Sequence, residues 1–196
     1  TINTSWVNHA GIKREVRYRV PNKNQCKECH STNDVISPIG PKARNLDKNL
    51  TYGSETKNQL AYLLQKGVID SIPLNFQTVS DWEDESQSLE DRARAYLAIN
   101  CGHCHTPSGV ANSTGLYLDF NEVRPLHLGI NKSPVATGRG SGNLNYSIVP
   151  GKAHESILLF RMISTDPGVM MPESGRSLVH VEASNLIEEW INSMDN

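Results

Sequence analysis

Long apolar runs are missing from this chain. No stretch approaches the ~18–20 consecutive apolar residues that carry a helix across a bilayer, so no transmembrane segment is expected. Aromatic residues are sparse, at 6% of 196 positions, and hydrophobic residues reach only 37%. An ordinary globular chain shows ~45–50%, a figure that counts Gly as apolar. The interior is therefore thin: the fold is loop-rich, or something other than side chains fills it. An excess of one charge is also missing. Nineteen bases face 21 acids for a net charge of −2, which leaves no basic footprint for nucleic acid. A leader is not visible: Thr1-Ile2-Asn3-Thr4-Ser5-Trp6 has neither a charged n-region nor an apolar h-region. This start reads as the edge of a processed or excised piece of a longer precursor. GxSxG, HExxH and dinucleotide fingerprints are missing too, and no catalytic residue is assigned.

Cysteine is scarce but concentrated. All four cysteines fall in two CxxC pairs, each followed by His: Cys26-Lys27-Glu28-Cys29-His30 and Cys101-Gly102-His103-Cys104-His105. None remains for other disulfides. CxxCH is the attachment pattern of c-type haem. Two thiols three apart on a helical turn can each bond one vinyl group of the same porphyrin. The next residue then lies under the iron, where His supplies the proximal nitrogen. His30 and His105 are the expected proximal ligands. A Cys₄ zinc site has an inter-pair gap of ~15–20 residues; the gap here is several times longer, and zinc does not explain a His after both pairs. A thioredoxin-like dithiol lacks its βαβ surroundings. Two covalently attached haem c groups are therefore the expected cofactors.

The rest of the chain gives a coarse outline. Val16-Arg17-Tyr18-Arg19-Val20 alternates apolar and charged residues and reads as a strand. Pro21 and the Asn22/Asn24 pair read as a break before Cys26, so the first motif is expected to lack a leading helix. A Pro/Gly loop at Ser37–Pro41 precedes a helix expected over about Glu55–Lys66, with Gly67 suited to its end. Residues 70–86 read as an acidic linker. Ser88 and Asp91 resemble a capping box, opening a helix through Leu89, Ala93, Tyr96 and Leu97 into Cys101. Residues 106–150 are turn-rich, with one strand expected at Gly115–Phe120. Thr137–Gly142 lacks the Lys-Ser/Thr ending of a phosphate loop and reads as turns. Short helices are expected at Glu155–Ile163 and Val181–Met194, the last burying Leu186, Ile187, Trp190 and Ile191. Charge is uneven: Lys13, Arg14, Arg17, Arg19, Lys23 and Lys27 cluster early, while Asp81, Glu83, Asp84, Glu85, Glu90 and Asp91 form an acidic run. Both read as solvated faces, with docking of a charged redox partner as the alternative.

Residues 88–194 resemble a class I cytochrome c domain: helix, CxxCH, long loop, the step Met171-Pro172, and a C-terminal helix ending in Trp190-Ile191. The run Ile148-Val149-Pro150-Gly151 with Ser156-Ile157-Leu158-Leu159 and Arg161 belongs to the same likeness. Most of the chain is similar to the C-terminal part of a family of bacterial di-haem c-type cytochromes. Asn24-Gln25, Ile39-Gly40-Pro41-Lys42-Ala43-Arg44 and Arg92-Ala93-Arg94-Ala95-Tyr96-Leu97 carry that resemblance. It implies a mainly α fold with long loops and two cytochrome c-like haem units. The first, residues 1–80, is incomplete and holds the N-terminal strand; the second, residues 81–196, is class I-like. It implies Met171 as distal ligand of the second haem, Met170 being its neighbour, and Arg161 as a partner for a haem carboxylate. It also implies a periplasmic or extracellular location, because bacteria attach haem covalently outside the cytoplasmic membrane.

The distal ligand of the first haem is open at this stage. Between His30 and residue 55 there is neither Met nor a second His. The candidates are His9, His103, His127, His154, His180 and Met162, with Lys42 and Tyr52 less usual, or an open iron. His103 qualifies only if the two haems lie close together. The function expected is electron transfer to and from redox partner proteins. The alternatives are a di-haem peroxidase-like enzyme with an open first haem, and a haem-bearing subunit of a larger redox complex or self-associated filament.

Overall fold

The computed structural model describes residues 1–8, 11–33 and 35–195. Its described residues are 33% helix and 15% strand. The chain opens on a hairpin, β1 (Ile2–Val7) and β2 (Lys13–Tyr18), antiparallel with Ile2 opposite Tyr18 and Val7 opposite Lys13. α1 (Lys23–Cys29) follows, then the short pair β3 (Ser31–Thr32) and β4 (Val35–Ile36). After α2 (Ala43–Leu46), a third hairpin forms from β5 (Asn49–Tyr52) and β6 (Glu55–Asn58), and α3 (Gln59–Gln65) continues from it. The second half holds α4 (Leu89–Asn100), α5 (Pro125–Leu128), α6 (Ile157–Ile163) and α7 (Val181–Asn192).

The expectation of a mainly α fold is overturned. Three separate two-stranded antiparallel sheets occupy the first 58 residues, and the described helices run only 4–12 residues. The cause lies in the pattern: the early segments lack an apolar stripe at the i, i+3, i+4 spacing that docks a helix, and backbone pairing between neighbouring segments takes its place. Three local expectations change with it. Glu55–Asn58 pairs as β6, and the helix starts only at Gln59, where the Asn58 side chain accepts from the Ala61 amide at 3.1 Å. Gly115–Phe120 forms no strand; its amides reach irregular partners, Tyr117 to the His127 carbonyl and Leu118 to that of His105. The first motif does have a helix, α1, and Asn22 starts it rather than breaking the chain. The Asn22 side chain accepts from the Asn24 and Gln25 amides while Gln25 Oε1 accepts from Asn22 N, each at 3.0 Å, a reciprocal cap.

The core sits in the second half. α4 and α7 pack together through Ala93, Tyr96 and Leu97 on one side and Leu186, Ile187, Trp190 and Ile191 on the other. Leu118, Ile148 and Leu159 of α6 close the cluster. The Ser88 hydroxyl caps α4 by accepting from the Asp91 amide at 3.1 Å. The Trp190 indole N–H donates to the Glu90 carboxylate, joining α7 back to α4. Before Ala93, Leu60 is the one buried hydrophobic residue among those described. Ile2, Trp6, Val7, Val20 and Ile39 are all exposed. The first half leans on the second through polar links: Tyr18 Oη to the Gly175 carbonyl at 3.3 Å, Arg44 to Asp119 at 3.2 Å, and Asn33 N to the Ser108 carbonyl at 3.1 Å. Among the described residues no helix is long and apolar enough to cross a membrane.

Candidate functional site

The second Cys pair is mounted on the end of α4. The Cys101 and Gly102 amides bond to the Leu97 carbonyl at 2.8 and 3.0 Å, closing the helix. Cys104 N and His105 N then return to the Cys101 carbonyl at 3.1 and 2.9 Å. This turn carries both thiols and the following His around one side of a cleft. Gly102 permits it: a Cβ there would lie 2.7 Å from the Ala98 carbonyl oxygen and 3.0 Å from that of Leu118.

The cleft has a volume of about 580 Å³, within the ~300–1,000 Å³ of small-molecule and cofactor sites. Cys101, Cys104, His105, Arg161 and Met171 all line it, with Leu116, Leu118 and Ile157 among its apolar walls. His105 is 8% exposed. Its Nδ1 lies 3.3 Å from the Leu116 carbonyl. A carbonyl only accepts, so Nδ1 carries the proton and Nε2 keeps its lone pair, the arrangement a metal-binding imidazole needs. Burial holds this imidazole below its ordinary pKa, which favours the neutral, ligating form. Met171 reaches the cleft from the loop after α6, its amide donating to the Arg161 carbonyl at 3.1 Å. Met170 does not line this cleft and is 7% exposed. Arg161 is anchored by Nε on the Val169 carbonyl at 2.8 Å and by an ion pair with Glu173 at 3.3 Å. Its remaining N–H donors are free for a carboxylate in the cleft.

The first motif is placed differently. α1 sets Cys26 and Cys29 one turn apart, and His30 caps its end. Cys26 and His30 are exposed, while Cys29 turns into the cleft of the second motif. Its sulfur, a His103 ring nitrogen and the Cys104 sulfur lie within 4.8 Å of one another, the one such group of His, Cys, Asp and Glu ligand atoms among the described residues. Glu28 joins the contact: its carbonyl is 3.6 Å from Cys104 Sγ, and its carboxylate accepts from Ser174 Oγ at 3.2 Å. As a free thiol, Cys29 is drawn down to about 4 by the hydrogen bond with Cys104 and then that with His103, while the bond to Cys29 and then burial push Cys104 up. Burial pushes Cys101 up to about 12.

The residues fit two haem groups unequally. The second set meets the cofactor's needs inside one cavity: two thiols, an oriented imidazole, a thioether, an anchored guanidinium and apolar walls. The first set offers two thiols and an imidazole on an open face, over a half-chain with almost no core of its own. Sequence reasoning did not anticipate the Leu116 carbonyl that sets the His105 tautomer, since a backbone acceptor leaves no residue-type signal. No family model, curated protein or solved structure matches the chain.

Proposed function

We propose that the chain is a di-haem c-type cytochrome that transfers electrons between redox partner proteins in the periplasm or outside the cell. The observation that carries this reading is the single cleft lined by Cys101, Cys104, His105, Met171 and Arg161. Those five side chains span two sequence regions far apart, yet they face one cavity. Cys26 and Cys29 would hold the first haem covalently and His30 would ligate its iron. Cys101 and Cys104 would hold the second, and His105 and Met171 would supply nitrogen and sulfur to its iron. A haem bound there supplies a one-electron iron couple. The protein's part is ligation, orientation and exclusion of water, and a His/Met pair raises the potential. Arg161 would neutralise a haem carboxylate. The basic face around β2 and α1 offers a docking surface for an acidic redox partner.

Purified protein expressed with haem-attachment machinery tests this. Two haems per chain by absorbance and intact mass, with reversible oxidation and reduction, are expected. A chain that carries no covalent haem under those conditions overturns the reading.

A second reading has its own observation. Cys29, His103 and Cys104 together resemble three ligands of a tetrahedral zinc site. It predicts one zinc per chain and no haem, which elemental analysis of the same sample decides.

A further inference from the structure

We propose that His103, lodged between the two cysteines of the second motif, is the iron ligand opposite His30 at the first haem. The inference rests on the two-haem reading above and names a ligand that reading leaves open.

The segment that follows the first motif offers its iron no usual ligand. From His30 to α3 there is no Met and no second His. The described alternatives are engaged elsewhere. His180 meets Tyr96 Oη at 3.1 Å and packs against Trp82. His127 faces Glu122 at 3.8 Å and stacks on Tyr117. His154 is exposed and pairs with Glu188 at 3.0 Å. Lys42 pairs with Asp119 at 3.3 Å, and Tyr52 stacks on Tyr62 at 3.7 Å. Met162 packs against the core and lines the cleft of the second motif. His9 lies outside the described residues.

Position sets His103 apart. A ring nitrogen of it lies within 4.8 Å of Cys29 Sγ, the sulfur that anchors the first haem. Its Nδ1 is buried and unpaired, a property it shares with His127 Nδ1, which lies far from either Cys29 or Cys26, beside Glu122 and Tyr117. Buried imidazole nitrogens are almost always paired, so the His103 ring keeps an unfilled bonding position while it stands against the first motif. Its backbone is also fixed. Gly102 is wedged against the carbonyls of Ala98 and Leu118, and Cys104 N is tied to the Cys101 carbonyl. The side chain is thereby held on the side where α1 arrives. A ligand borrowed from the second motif explains why the first half has almost no core yet docks at Cys29.

The consequence is an asymmetric pair. The first iron would have two imidazoles and the second an imidazole and a thioether, so the first haem has the lower potential.

The test is low-temperature EPR and near-infrared magnetic circular dichroism on the fully oxidised holoprotein, with haem quantified in every sample. For the unmodified protein, one bis-imidazole and one His/Met low-spin haem are expected. A high-spin haem, or no bis-imidazole haem, overturns the inference. In His103→Ala, one low-spin signal should become high-spin with two haems retained, and added imidazole should restore it. Two unchanged low-spin haems in that variant overturn the inference. If His103→Ala yields no folded protein, His103→Met decides: the bis-imidazole band should be replaced by a second His/Met band, and its persistence overturns the assignment. His9→Ala serves as the comparison and should leave the spectrum unchanged; loss of the bis-imidazole signal there assigns the ligand to His9 instead. A sample without haem fails the two-haem reading itself, which the haem count separates from failure of the ligand assignment.

Discussion

Cys29 and Cys104, from the two halves of the chain, bring their sulfurs within 4.8 Å of each other. In the di-haem reading each sulfur is a thioether on a porphyrin edge, so the two rings meet where the two motifs meet. Charge added to one centre then raises the cost of adding charge to the other, because the interior between them screens poorly. A potentiometric titration followed by absorbance should resolve two one-electron waves. A single superimposed wave would show that the contact carries no coupling and that the ligand sets do not differ.

Met171 and Met170 are adjacent but face different surroundings. Met171 lines the cleft beside Cys101, Cys104 and His105, while Met170 is buried away from it. Met171→Ala should leave both haems attached, convert one to high spin, and lower its potential as the thioether is lost. Met170→Ala should leave the spectrum unaltered and act on stability alone, in the ~2–5 kcal/mol range of a buried Met truncation. Spectra and urea midpoints of the two variants separate these outcomes. The reverse pattern would move the ligand to Met170.

Much of the site was legible in the sequence, and for physical reasons. CxxCH is a local pattern whose geometry depends on one helical turn, and three residues singled out from the sequence, Met171, Arg161 and His105, line one cleft. α4 and α7 were also readable, since Leu97, Leu186, Ile187 and Trp190 fall at helical spacing on faces that become the core. The mixed architecture was not. Residues 49–58 carry few apolar side chains to set a period, and pairing of Thr51 with Thr56 across a turn at Gly53 decided for a hairpin. Pro21 and Asn22 were misread as a break, because Asn favours both turns and helix caps and only the reciprocal bond with Gln25 distinguishes them. The approach of α1 to Cys104 is a tertiary contact, and spacing along the chain carries no record of it.

Gly102 is an unremarkable middle residue of CxxCH until its surroundings are measured. An added methyl would stand 2.7 Å from one backbone carbonyl oxygen and 3.0 Å from another. Neither can yield like a flexible side chain, since Ala98 belongs to α4 and Leu118 is in the core. Gly102→Ala should destabilise the protein by about 1–3 kcal/mol and reduce haem loading at the second motif more than at the first. Denaturation midpoints and peptide-level mass mapping of attached haem check both parts. Wild-type stability in this variant would mean that the end of α4 shifts freely.

Glu122 gives the clearest pH dependence outside the candidate site. Its carboxylate accepts from the Arg124 side chain at 2.8 and 2.6 Å and from the Val123 and Arg124 amides at 3.1 and 2.9 Å. The Arg124 side-chain bonds, first among these, hold its pKa down at about 2 against an ordinary 4.5. The folded value is the depressed one, so the unfolded chain takes up the proton first as pH falls. The stabilisation is therefore fully present above about 4.5 and is lost progressively toward about 2. Glu122→Gln removes the titration. Its stability deficit relative to the parent should be largest near neutrality and should shrink as pH falls through that window. Because Arg124 is well exposed, solvent and salt screen the pair, and added salt should shrink the neutral-pH deficit as well. Urea denaturation of both proteins across the window, at low and high salt, measures it. Parallel pH curves would show that Glu122 is as well satisfied in the unfolded chain as in the turn it closes.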